Sequence, residues 1–284
     1  TEVIWVALGF CIFMKGKLKK KAVLAILITF SFAACSQEGN TANTNETTVN
    51  SNYVENNVID RLTWEQINAL PIANDSMTEE ELRKLCMDFM RLQLSFAWTP
   101  SQRFTYHNVA TDITLEPGIV YGGMLYDNGK YGNLYTLMEL YDPNTGTLDF
   151  SMGDDALHSV ANQCSSSCSW AWGRVANTLS NPGAGETTQA TGYPRVGPYK
   201  YDDKIVDFNS EYPTINITLD NGPEIMFQSY AMLKPADGLV TANPTNSHIR
   251  MVCSTPTVVY NDDGTINGNL SYLTYLDQAT AWGA

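Results

Sequence analysis

Apolar and polar positions divide this chain into three stretches. Ala22 to Ala34 is an apolar run behind a basic one, Lys15, Lys17, Lys19, Lys20 and Lys21. Ser36 to Asn57 is rich in Asn, Thr, Ser and Glu and almost free of large apolar side chains. From Val58 onward apolar residues recur with helix and strand periods. Thr63-Trp64-Glu65-Gln66 has a capping-box pattern and predicts a short helix ending before Pro71. Ser76 to Leu82 opens a longer helix with acids in its first turn, and Leu82, Leu85, Cys86, Phe89, Met90 and Leu92 carry its apolar face toward Trp98-Thr99-Pro100. Cys168, Ala171, Trp172, Val175 and Leu179 recur at spacings of three and four, which predicts a helix stopping at Asn181-Pro182-Gly183.

The second half reads as strands. Ile215 to Leu219 alternates like a half-buried strand before a turn at Asp220-Asn221-Gly222. Lys234 to Thr241 enters another strand, and His248 to Ser254 forms the next. A hairpin turn is expected at Asn261 to Thr265, and Ser271 to Gln278 reads as the last strand. Gly118 to Tyr126 is a glycine-rich turn with aromatics, and Asp142 to Gly146 is a plain turn. Helices first and an antiparallel meander afterwards make the expected class α+β.

The N-terminal pattern is that of a secretory signal peptide. Residues 1–13 read as over-extended translation, with Met14 as the start and 14–34 as the signal peptide. Phe32-Ala33-Ala34-Cys35 resembles a bacterial lipobox, which makes Cys35 the expected lipidation site. The apolar run is short of the about 20 residues a membrane span needs. Residues 35–57 then form a tether too poor in apolar surface to order itself, and 58–284 the folded domain. The expected location is extracytoplasmic, on the bacterial cell surface, with a lipid anchor as the sole membrane attachment.

Charge narrows the partners. The whole chain carries −13 at neutral pH; cleavage before Cys35 removes five Lys and one Glu and takes it to −17. So acidic a domain is not expected to bind nucleic acid by phosphate neutralisation, or anionic headgroups. The folded part holds Cys86, Cys164, Cys168 and Cys253. Export permits disulfides, but nothing in this spacing demands them. No metal is expected, because Cys-x-x-x-Cys lacks a second Cys/His pair and the chain has three histidines. No cofactor is implied.

The chemistry centres on Cys164. It lies one turn before Cys168, at the helix mouth, where free backbone N–H groups and the helix dipole stabilise a thiolate. Cys168 and Cys86 read as packing. A nucleophilic cysteine needs a base. His158 is too near Cys164 along the chain to face it easily, and His107 lies in an aromatic loop. His248 begins a strand after a loop, where a base is rigid yet accessible.

This order of elements resembles the NlpC-type cell-wall endopeptidases, a papain-like clan that cuts peptidoglycan peptides. Ile119-Val120-Tyr121-Gly122-Gly123 stands for the family's tyrosine and Gly-Gly segment, and Gln163-Cys164-Ser165-Ser166 for its Asp-Cys-Ser-Gly. Lys234 to Val240 stands for the Pro-Gly-Asp strand entry, and Ser247 to Val252 for the His strand. The family's polar residue on the next strand falls on Gln278 or Asp277. The resemblance covers roughly Tyr121 to Gln278. The family's Asp before the cysteine, which it assigns to gripping a substrate amine, is Gln163 here. The resemblance implies a papain-like α+β fold with Cys164 as nucleophile, His248 as base and Gln278 orienting the imidazole. Tyr121, Ser165 and Gln163 are the implied substrate-binding residues, and a peptide or isopeptide amide in peptidoglycan the implied substrate. Two rivals stand beside this reading: a non-catalytic lipoprotein of the same fold that binds wall peptides or a partner, and a Cys–His amidase or acyltransferase acting on another amide. No Gly-x-Ser-x-Gly elbow points to a serine hydrolase.

Overall fold

The computed structural model describes residues 68–108, 111–175, 195–200, 214–243 and 246–279. The signal segment, Cys35, the tether, the Thr63–Gln66 capping box, Leu179 and the stop at Asn181–Gly183 lie outside the described residues.

Helix α1 (Glu79–Ser95) begins where its sequence caps it. Thr78 Oγ1 accepts from the Glu81 amide at 3.3 Å, and Glu81 Oε2 accepts from the Thr78 amide at 2.8 Å. These two bonds satisfy donors that a helix start otherwise leaves unpaired. Leu85, Cys86, Phe89, Met90 and Leu92 bury its inner face. The chain then turns into strand β1 (Ala97–Pro100), hairpin β2 (Phe104–His107) and β3 (Asp112–Leu115), and the two-residue strands β4 (Tyr121–Gly122) and β5 (Leu125–Tyr126). Helix α2 (Leu134–Met138) precedes β6 (Tyr141–Asp142) and β7 (Thr147–Leu148), which flank the expected turn at Asp142 to Gly146. A 3₁₀ turn (Gly153–Ala156), helix α3 (Leu157–Val160) and strand β8 (Ala161–Asn162) lead to helix α4 (Cys164–Trp172). Helix α5 (Thr214–Ala231) and strands β9 (Gly238–Asn243), β10 (Asn246–Val252) and β11 (Tyr275–Leu276) complete the order.

The class is mixed α+β. One sheet runs β4-β1-β7-β6 and another β11-β10-β9. The second is antiparallel, as the sequence pattern predicts, with Ile249 opposite Val240 and Met251 opposite Leu276. The first half is less purely helical than expected. It holds β1 to β8, including the parallel pairs β1/β7 and β5/β8. Those strands are two to four residues long, too short for a period to register.

Helix α4 packs between α1 and β10. Phe89, Met90, Cys168, Ala171, Trp172, Ile249 and Met251 share one apolar cluster there. Cys86 belongs to it, 1% exposed, with its sulfur 3.9 Å from Met251 Sδ. Trp172 Nε1 donates to the Ala236 carbonyl at 2.8 Å and ties α4 to the entry of β9.

Three elements depart from expectation. Ile215 to Leu219 is helical, within α5. A strand would place all three apolar residues on one face; in a helix Ile217 points opposite to Ile215 and Leu219, and only Ile217 is buried. The expected turn is present as a break inside α5. Asn221 Nδ2 donates to the Ile217 carbonyl at 2.8 Å, Gly222 takes φ +73°, and Pro223 restarts the helix. Helix α4 stops earlier than its apolar period suggests. Gly173 follows Trp172, and Val175 lies in the turn beyond. The strand expected over Ser271 to Gln278 narrows to Tyr275–Leu276, with Tyr272 making a lone bridge to Thr257.

Candidate active site

The helix mouth is built from below. Strand β8 pairs with β5 and sets Asn162 under α4. Asn162 Oδ1 accepts from Ser167 Oγ at 2.9 Å, and the fully buried Gln93 of α1 donates to the Ser167 carbonyl at 3.0 Å. Ser166 Oγ accepts from the Gln163 amide at 2.9 Å, the reciprocal contact of a helix start. Cys164 is thereby fixed as the first residue of α4, 7% exposed. Sheet β9-β10-β11 packs on the same helix and brings His248 to it.

Cys164 and His248 interact directly. Burial raises the Cys164 thiol, but the hydrogen bond and charge of His248, with the Ile249 and Ser165 amides, outweigh it and hold the thiol below its ordinary value. Burial likewise opposes the His248 imidazolium. Asp277 and Cys164 overcome that and raise its pKa to about 9. The two shifts are opposite in sign, and the mutual attraction of thiolate and imidazolium contributes to both, with Asp277 the larger influence on His248.

Asp277 is the third member. Its Oδ1 lies 2.5 Å from His248 Nε2, and its Oδ2 accepts from Arg250 Nε at 2.8 Å. Burial pushes its carboxyl up, and His248 and Arg250 bring it below the ordinary carboxylate value. With Nε2 engaged, Nδ1 is the ring nitrogen left for the cysteine.

The sequence-predicted residues divide. Cys164 and His248 come together. Gln278 does not reach the imidazole: it is buried and donates from Nε2 to the Met124 carbonyl at 2.9 Å. Asp277, the residue just before it and just beyond the end of β11, lies beside the imidazole instead. Tyr121 is also placed elsewhere. Its hydroxyl accepts from the Glu116 amide at 2.9 Å and its ring stacks on Trp98, centroids 5.3 Å apart. Tyr126 is the tyrosine at the site. Burial raises its phenol, and the charges of Cys164, Asp277 and Asp127 push it further. Gln163 and Ser165 flank the nucleophile, but their side chains bond each other at 3.2 Å, and Gln163 Oε1 accepts from the Gly129 amide at 2.9 Å. Gln163 thus holds the Asp127–Lys130 turn against α4.

The other cysteines and histidines stay apart. Cys168 is fully buried, and burial pushes its thiol far up; burial also takes Cys86 to about 12. No disulfide joins any two of the four cysteines of the described residues. His107 is exposed and pairs with Asp112 at 2.8 Å, and His158 lies 3.2 Å from Lys130 Nζ. No group of three His, Cys, Asp or Glu among the described residues could hold a metal ion.

Comparison with protein-family models, with curated proteins and with solved structures finds no match.

Proposed function

We propose that this protein is a surface-anchored cysteine hydrolase that cleaves peptide or isopeptide amides, with peptidoglycan stem peptides as substrate. The reading rests on one observation: the lowered thiol of Cys164 at a helix mouth meets the raised imidazole of His248, itself backed by Asp277. An ordinary buried cysteine behaves as Cys168 does, with its thiol driven up. The resemblance to NlpC-type endopeptidases supplies the papain-like fold, the class of bond and the cell-wall substrate. The signal pattern and Cys35 supply the lipid anchor.

The chemistry follows from the pair. The Cys164 thiolate attacks the carbonyl carbon, and the C=O electrons move to oxygen. The Cys164 backbone amide at the start of α4 stabilises that oxyanion. The His248 imidazolium gives its Nδ1 proton to the nitrogen of the breaking C–N bond, and an amine leaves. Water then attacks the thioester with neutral His248 as base, which releases the carboxylate and restores the ion pair. Asp277 stays ionised and holds the ring throughout.

Purified protein incubated with peptidoglycan, followed by mass analysis of the soluble fragments, tests the reading. New amine and carboxyl termini within stem peptides are expected, and none with Cys164→Ala. If Cys164 alkylates as a thiolate but the peptides stay intact, the substrate is another amide. If it alkylates only as an ordinary thiol, the reading fails and the binding lipoprotein takes its place.

A further inference from the structure

The proposed hydrolase uses Cys164, His248 and Asp277, and leaves one charged side chain at the site without a role. Arg250 lies two residues beyond His248 on β10, on the same face of the strand. Its Nε donates to Asp277 Oδ2 at 2.8 Å, and its guanidinium sits over the Tyr275 ring, 5.0 Å from the centroid. It is partly buried, with 26% side-chain exposure against 17% for Asp277. Both partners come from β11 or its edge, so Arg250 is clamped between a carboxylate and an aromatic face.

Resting on the reading of this site as a thiolate–imidazolium pair, we propose that Arg250 is a positioning residue that fixes Asp277 against His248 and sets the pH window in which the pair exists. A carboxylate bound at one oxygen can rotate about its χ2 and offer either oxygen. With Oδ2 held by Arg250, only Oδ1 is presented to His248 Nε2. The second effect is electrostatic. Arg250 is a permanent cation, and its charge offsets that of Asp277. The other ionisable groups around the pair are Cys164 and Cys168 on α4, Tyr126 on β5, and Asp127 in the turn beyond it. Among the described residues none of these is cationic at neutral pH, so beyond His248 itself the damping of the Asp277 charge falls to Arg250. Removing a cation favours the protonated form of every neighbour. A freed Asp277 can still offer either oxygen to His248 Nε2, so the charge effect decides the direction: losing Arg250 should move both the thiolate titration of Cys164 and the titration of His248 to higher pH.

The test is iodoacetamide alkylation of Cys164 against pH, located by fragment mass spectrometry, together with NMR titration of the His248 ring in the full chain. Arg250→Gln should shift both transitions upward by about 0.5–1.5 pH units, the order expected for one partly screened charge near the pair. Arg250→Lys retains the charge and should keep both within about 0.3 units of wild type. If Arg250→Gln does not fold, Arg250→Met keeps the stem over Tyr275 and takes its place. Profiles of Arg250→Gln or Arg250→Met that superimpose on wild type overturn the proposal, as does Arg250→Lys moving as far as either. If wild-type Cys164 itself titrates as an ordinary thiol, the hydrolase reading falls first.

Discussion

Asp277 Oδ1 approaches His248 Nε2 at 2.5 Å, so the ring is gripped on the side away from Cys164. Asp277→Asn preserves the shape but removes the charge. The imidazolium then loses the largest contribution holding its pKa near 9. Turnover should fall by about 10²-fold, within the range for general acid–base catalysis, and its alkaline limb should move to lower pH. Gln278→Ala should leave that limb in place and lower stability by about 1–2 kcal/mol, because the buried Met124 carbonyl loses its donor. Rate–pH profiles and thermal unfolding separate the two.

Cys164 and Cys168 should respond oppositely to serine. Cys164→Ser should abolish hydrolysis and acid-range alkylation while keeping the fold, since the side chains are close in size. Cys168→Ser should retain activity but lose about 1–2 kcal/mol, the cost of a buried hydroxyl without a partner. A dead Cys168→Ser beside an active Cys164→Ser in the same peptide assay would show the nucleophile to be misassigned.

The pH dependence follows from the signs of the shifts. The Cys164 thiol is lowered, so alkylation should persist to lower pH than for an ordinary thiol. His248 is raised to about 9, so turnover should decline as pH rises through that value, when the proton for the leaving amine is lost. His248→Ala should move alkylation up toward an ordinary thiol and cut turnover by several orders of magnitude. His107→Ala and His158→Ala should change neither. Iodoacetamide rates across pH for the four proteins provide the check.

Two small residues make a backbone test. Gly123 takes φ +74°, and a Cβ there would sit 2.6 Å from the Leu94 carbonyl oxygen. Gly123→Ala should cost at least about 2 kcal/mol and disturb the path to Tyr126. Ala236 takes φ +73°, a left-handed conformation that costs an alanine about 1 kcal/mol. Ala236→Gly should therefore cause no loss, the relieved strain offsetting the added freedom of the unfolded chain. Denaturant midpoints for both variants decide this.

Cys35→Ala should release the protein from membranes without changing its hydrolysis of peptides. Fractionation of cells expressing it tests the anchor. Continued membrane association after signal cleavage would remove the lipid from the account.

Local chemistry made several features legible from the residues alone. The acids that follow Ser76 announce a helix start, because a first turn rich in Glu complements the helix dipole locally. The period of Cys168, Ala171 and Trp172 sets Cys164 one turn earlier, at the mouth of α4. The strand character of the His248 segment follows from its own side chains, and Gly123 marks a close approach that the structure contains. The tertiary structure decided what depends on register and packing. Leu276 lies opposite Met251, and continuing that antiparallel register brings Asp277 beside Arg250 and His248; a slip of one residue would present Gln278 instead. Tyr126 rather than Tyr121 meets the site because β5 pairs with β8, the strand that leads into Cys164. Ile215 to Leu219 is helix, and of its apolar residues Ile217 alone is buried, packed with Met226. A strand's polar residues look alike in sequence; which of them touches an imidazole is settled only when a second strand is laid beside the first.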